Sequence, residues 1–269
     1  MNTNLYSKLQ KSKPFFLIAG PCVIETESLM LKTAETLQNL TTRLKLDFVF
    51  KSSFLKANRT NNKSYQGPGL EQGLKILQKI KKEFGLPILT DVHESHEVAQ
   101  VADVADIIQI PAFLCRQTVL IQAAADSGLI VNLKKGQFMA PEDMQSAALK
   151  AVDRGNSQIM LTERGTSFGY HNLVVDFRAF SIMHEIGYPV VFDVTHSLQK
   201  PSQGNTSGGS PEYAQVMAQA ALATGCVSGL FIETHPNPQD ALSDSASMLP
   251  LNQLPALLES CIRVSQAVL

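Results

Sequence analysis

Eight short apolar runs, rich in β-branched and aromatic residues, recur along the 269-residue chain with helix-like segments between them. They cover residues 15–19, 47–52, 87–92, 107–111, 130–133, 158–162, 189–194 and 229–233. Most are continuously apolar instead of alternating, which is how strands buried on both faces read. Between them, Leu70, Leu74, Leu77, Ile80 and Phe84 form one apolar helical face, with Lys75, Lys79, Lys81 and Lys82 opposite. Pro141, followed by Glu142 and Asp143, has the residues of a helix start. Further helices fit 27–43, 94–104, 116–127, 176–186, 211–224 and 252–268, and Gly85, Gly128, Gly155, Gly187 and Gly225 stand where C-caps are expected.

Strands and helices that alternate in this way require parallel pairing through right-handed crossovers. No composition break marks a linker, so the spacing predicts an α/β protein, a single-domain (β/α)8 TIM barrel over residues 1–269. A dinucleotide-binding fold needs G-x-G-x-x-G after its first strand. Here that turn reads Ala19-Gly20-Pro21-Cys22, and Pro21 lacks the N–H a pyrophosphate cradle uses.

Charge narrows the partners. Lys plus Arg number 23 against 24 Asp plus Glu, a net charge of -1, so bulk attraction for nucleic acid or an anionic membrane is not expected. The first apolar run is too short for a targeting or membrane segment. Cys22, Cys115, Cys226 and Cys261 lie far apart with no C-x-x-C pair, as reduced cytoplasmic thiols do.

The polar residues gather where the strand runs end. In a barrel those ends share one face, which brings Lys51, Lys56, Arg59, Lys134 and Arg164 to a single mouth. Such clustering is costly unless an anion sits among the charges, and phosphate or carboxylate is the natural candidate. The alternative is a set of solvated loop charges paired with Glu25, Glu94 and Glu163. Cys22, His196 and Glu233 follow strands one, seven and eight, with Asp244 just beyond, and these ligand types suit Zn2+, Fe2+ or Mn2+. A cysteine beside an apolar strand is, however, more often core than ligand. Residues 199–210 (QKPSQGNTSGGS) form either a tolerant surface loop or a lid over the mouth.

With these residues laid out, the chain resembles the 3-deoxy-D-manno-octulosonate 8-phosphate synthases over essentially its whole length. The resemblance rests on AGPC at 19–22, FKSSF at 50–54, KANR at 56–59 and IIQIPAFLCRQT at 107–118. KKGQF at 134–138, LTERGTSFGY at 161–170, DVTHS at 193–197 and ETHP at 233–236 complete it. It implies a condensation of phosphoenolpyruvate with arabinose 5-phosphate that releases phosphate and makes a precursor of lipopolysaccharide. Lys51, Lys56, Gln109, Lys134 and Arg164 would then surround phosphoenolpyruvate, while Asn58, Arg59, Thr60 and Ser207 would hold the sugar phosphate. Lys56, Lys134, His196 and Asp244 fall among the implied catalytic residues, and the Arg59 loop would reach a neighbouring site in a homotetramer. Cys22, where a metal-free branch has Asn, places the chain with the metal-dependent branch, with His196, Glu233 and Asp244 as the other ligands. The related heptulosonate synthases, which use a four-carbon sugar phosphate, typically read KPRT where this chain reads KANRT. Sialic-acid synthases, a further relative, carry an extra C-terminal domain for which this chain has no room. Leu55 departs from the family, which usually has an acid there; it is the one feature favouring a barrel that binds without catalysing.

Overall fold

The computed structural model describes residues 3–58, 64–169, 171–200 and 208–268. In chain order the elements are α1 (Thr3–Gln10), β1 (Phe16–Gly20), α2 (Glu27–Leu44), β2 (Phe48–Lys51), α3 (Leu70–Phe84) and β3 (Ile88–Asp91). There follow α4 (Val98–Ala102), β4 (Ile107–Ile110), α5 (Thr118–Asp126), β5 (Ile130–Lys134), α6 (Met144–Val152) and β6 (Ile159–Glu163). The last are α7 (Arg178–Glu185), β7 (Val190–Asp193), α8 (Val194–Ser197), α9 (Ala214–Ala223), β8 (Gly229–His235) and α10 (Leu254–Val268). Each strand pairs in parallel with the next, and β8 pairs back onto β1 from Phe16↔Gly229 to Gly20↔Glu233. The sheet is therefore a closed (β/α)8 barrel with no free edge among its eight staves.

All eight strands fall on the apolar runs, within two residues at each end. Pro141–Asp143 and Pro211–Tyr213 are 3-10 turns that lead into α6 and α9, so those helices begin later than the spacing predicts. Val194 closes no strand: it opens α8, whose N-cap Asp193 accepts from the His196 N–H at 2.9 Å. A further helix, α1, precedes the first of the expected elements. Its Leu5, Tyr6 and Leu9 plug the barrel from below, and the Tyr6 hydroxyl donates to the Ile159 carbonyl at 2.9 Å.

Two apolar layers result. An outer one lies between strands and helices and includes Leu17, Phe50, Leu77, Leu133 and Phe180. The inner one fills the barrel with Phe16, Ile18, Val49, Leu89, Ile107, Ile130, Met160, Val191 and Phe231. Gly229 makes room for the inner layer, because a Cβ there would lie 2.3 Å from the Phe16 ring. Among the described residues, no helix is long and apolar enough to cross a membrane.

Candidate active site

Strand side chains alternate, so the residue two positions beyond each inner apolar one also points into the barrel, one layer nearer the C-terminal mouth. That step takes Val49 to Lys51, Leu89 to Asp91, Ile107 to Gln109, Ile130 to Asn132, Met160 to Thr162, Val191 to Asp193 and Phe231 to Glu233. An apolar layer thus carries a buried polar one. Phe231 joins the two, with the Lys134 and Lys51 ammonium groups 4.6 Å and 5.3 Å from its ring centroid.

Above this layer opens a cavity of about 190 Å³. Lys51, Lys56, Asn58, Gln109, Lys134, Arg164 and His196 all line it. Arg59, Thr60 and Ser207 lie outside the described residues, as does most of the 199–210 segment; its ends, Gln199–Lys200 and Gly208–Gly209, pair antiparallel. Arg164 is 5% exposed, and its Nε and Nη1 have no hydrogen-bond partner among the described residues. Only its Nη2 is seen to donate, to Gln199 Oε1 at 3.0 Å. Buried guanidinium donors that lack an acceptor are suited to a planar anion.

The lysines are different. Lys51 Nζ donates to Glu233 Oε1 at 2.7 Å, Lys56 Nζ lies 3.7 Å from the same oxygen, and Lys134 pairs with Asp193. Their counter-ions are thus Glu233 and Asp193, not Glu25, Glu94 or Glu163. The cations are also buried beneath the mouth instead of standing at its solvated edge. Burial alone would lower the Lys56 pKa, but Cys22, Glu233, Asp91 and Asp244 together hold it well above the usual lysine value. Glu233, opposed by burial but surrounded by Lys51, Lys56 and His196, is held well below the usual carboxylate range.

Beside the cavity, Cys22 Sγ, Glu233 and an Asp244 oxygen lie within 4.8 Å of one another. Cys22 Sγ is 3.3 Å from Asp244 Oδ2, and His196 Nε2 is 3.7 Å from Glu233 Oε2 and 3.9 Å from Asp244 Oδ2. Metal–ligand bonds of 2.0–2.3 Å set tetrahedral ligand atoms roughly 3.3–3.8 Å apart. Cys22, Glu233 and Asp244 form a group of the size a divalent cation needs, while His196, 3.9 Å from Asp244 Oδ2, stands at the edge of that group and not within it. Glu233 Oε2 is buried with no hydrogen-bond partner among the described residues, and Asp244 adopts a left-handed backbone (φ 48°) rare outside glycine. Burial, then the nearby Asp244 and Glu233 charges, push the Cys22 thiol pKa well up. A cation among these groups reverses that balance. Asp193 accepts from His196 Nδ1 at 2.8 Å, which leaves Nε2 turned toward Glu233 and Asp244.

Residues 8–269 match the profile of the DAHP synthetase I family. The chain belongs to that family. It is 57% identical over 247 residues to the 2-dehydro-3-deoxyphosphooctonate aldolase of Methylococcus capsulatus, covering 91% of this chain and 87% of the relative. The Acidithiobacillus ferrooxidans protein of the same name is 55% identical over 256 residues, 95% of this chain and 91% of its own length. That of Variovorax paradoxus is 53% identical over 261 residues, 94% and 91%.

Among the buried polar residues of the site to which the sequence assigned no role are Ser53, Asp91, Asn132, Thr162 and Asp193. The two-residue period inside each strand is the signal that would have found the last four. Leu55, the departure noted above, packs half-buried against the outer apolar layer, and the following turn closes through Lys56 N–H to Gln66 O at 2.7 Å.

Burial opposes ionisation of Asp91, but Lys51, Lys56, His93 and a Ser53 hydrogen bond outweigh it and bring its pKa from 3.8 to about 2. A carboxyl held down in the fold stabilises it above its unfolded pKa, and that contribution is lost as pH falls from about 4 through about 2. The shift is worth about 2 kcal/mol. Urea unfolding at stepped pH should give Asp91→Asn a stability curve flatter than wild type by about that amount across this window. Equal slopes would contradict the assignment.

Proposed function

We propose that this chain joins phosphoenolpyruvate to D-arabinose 5-phosphate with water, giving 3-deoxy-D-manno-octulosonate 8-phosphate and phosphate, a step toward lipopolysaccharide. The observation that carries this reading is the Arg164 guanidinium, buried in the wall of the cavity that Lys134 also lines, with no hydrogen-bond partner for its Nε and Nη1 among the described residues. Relatives at 53–57% identity that bear the aldolase name support the choice of reaction.

In this reading Arg164, Lys134, Lys51, Lys56 and Gln109 hold the phosphate and carboxylate of phosphoenolpyruvate. Asn58, Arg59, Thr60 and Ser207 hold the sugar phosphate. Fixing two anions in register turns a two-body encounter into a positioned one and offsets the charge that develops as they react. The enol carbon forms a bond to the sugar aldehyde carbon, whose oxygen takes up a proton. Water then adds to the cation-like carbon, giving up a proton, and phosphate departs from that carbon. Lys56 and Lys134 stabilise the negative charge through these steps, and Asp244 or Glu233 accepts the proton of the water.

Cys22, His196, Glu233 and Asp244 would hold a divalent Zn, Fe or Mn. Such an ion polarises a carbonyl oxygen or lowers the pKa of a water. The same reading takes the protein as a cytoplasmic homotetramer; exposed Phe113, Phe138 and Phe168, on the loops that follow β4, β5 and β6, suit an interface between subunits.

Phosphate release from phosphoenolpyruvate, measured with arabinose 5-phosphate and separately with a four-carbon sugar phosphate, tests the substrate. We expect turnover with the five-carbon sugar, its loss on chelation, and its recovery on adding a divalent metal. Turnover with the four-carbon sugar alone makes the chain a heptulosonate synthase, silence with both makes it a binding protein, and full activity in metal-free protein removes the ligand assignment.

A further inference from the structure

Beneath the cavity the polar layer is joined side chain to side chain. Lys51 Nζ donates to Ser53 Oγ at 3.1 Å, and the Ser53 hydroxyl donates to Asp91 Oδ2 at 2.7 Å. From the other side Gln109 Nε2 donates to Asp91 Oδ1 at 2.8 Å. Asn132 Nδ2 donates to Gln109 Oε1 at 3.0 Å, and Thr162 Oγ1 donates to Asn132 Oδ1 at 2.7 Å. All six side chains are buried.

The direction of this ladder follows from its anchor. An amide can turn by 180° with little change of shape, exchanging its oxygen and nitrogen, so position alone does not decide which end faces where. An ionised carboxylate accepts only. Asp91 therefore requires the Gln109 NH2, which turns Gln109 Oε1 toward Asn132 and demands the Asn132 NH2 there. Asn132 Oδ1 then needs a donor, and the Thr162 hydroxyl supplies it. Turning Gln109 over would set two pairs of buried like groups against each other, which low-dielectric surroundings penalise. The second Gln109 N–H is not used within the ladder, and Gln109 lines the cavity.

We propose that Asn132 and Thr162, neither of which lines the cavity, act with Asp91 as positioning residues that lock Gln109 with its N–H, not its carbonyl, toward the bound anion. This rests on the reading of Gln109 as a phosphoenolpyruvate contact. Its consequence is selectivity: the cavity offers a donor at that point, so it favours a carboxylate or phosphate oxygen over a group that donates.

Steady-state kinetics with phosphoenolpyruvate and arabinose 5-phosphate tests it. Asn132→Asp keeps the shape but offers Gln109 only oxygen. Its KM for phosphoenolpyruvate should rise about tenfold, the scale of one lost hydrogen bond to a charged group, while the KM for the sugar phosphate stays within about twofold. A purely structural role lowers the amount of folded enzyme, which scales kcat and leaves both KM values alone. Should N132D not fold, the milder pair decides: T162V, which loses the hydroxyl, raises the same KM about threefold, and T162S, which keeps it, stays near wild type. Q109M is the reference. If Q109M raises the KM but N132D and T162V do not, or if T162V and T162S behave alike, the ladder proposal is overturned and the contact stands. If Q109M leaves the KM unchanged, both fall.

Discussion

Glu233→Gln is expected to abolish the divalent-metal binding proposed above and to lower the stability of the metal-free fold by about 3–5 kcal/mol. Two separate jobs of one carboxylate explain the paired losses. Glu233 Oε1 is the counter-ion of Lys51 and lies near Lys56, both buried, so an amide breaks the Lys51 ion pair and leaves two interior ammonium groups with only Asp91 and Asp244 to balance them. Glu233 Oε2, without a hydrogen-bond partner among the described residues, lies beside Cys22, His196 and Asp244 and is, in the proposed reading, the oxygen that would bind a cation. The jobs separate in the double variant Lys51→Met/Glu233→Gln, which should recover part of the stability because the buried charge leaves with its partner. It should recover none of the metal. Urea unfolding of chelated protein reads the first effect and elemental analysis after dialysis the second. Wild-type metal content in the single variant would remove Glu233 from the ligand set.

Asp193→Asn is expected to weaken the proposed metal binding by about 10–100-fold although Asp193 is not among the proposed ligands. Its carboxylate sits beneath His196, accepting from the backbone N–H at 2.9 Å and from Nδ1 at 2.8 Å, and it pairs with Lys134. Burial works against its charge, yet His196 and Lys134 hold the carboxyl well below the usual range, so it accepts throughout the working pH. That fixes the ring with the proton on Nδ1 and the free pair on Nε2, the atom nearest Glu233 and Asp244. An asparagine amide presents hydrogens to the imidazole or to Lys134, so the ring loses its orientation and Lys134 its counter-ion. A metal titration of the chelated variant checks this, and an affinity within about twofold of wild type would show that His196 needs no such support.

The eight strands and the helices between them were legible because each is a local pattern: a short apolar run, or an apolar face recurring every three or four residues. So was the gathering of cations at one end of the barrel, which needs only the rule that parallel strands send their C-termini the same way. The counter-ions were not legible. Lys51 and its Glu233 lie 182 residues apart, and only closure of β8 onto β1 brings them together. Helix α1 was not legible either, because Leu5, Tyr6 and Leu9 have their apolar partners inside the barrel, not along their own segment.

The residues under the cavity mark the same boundary. Asn132 and Thr162 read as stray polar positions within apolar runs, and a single strand assigns them nothing. Their purpose appears when β4, β5 and β6 lie side by side and three interior side chains reach one another. The order of apolar and polar residues along the chain determined the barrel, and the motifs carried on it marked the family. Which charge meets which, and which way a buried amide faces, was decided only by tertiary structure, because these depend on groups that approach one another through space from distant parts of the chain.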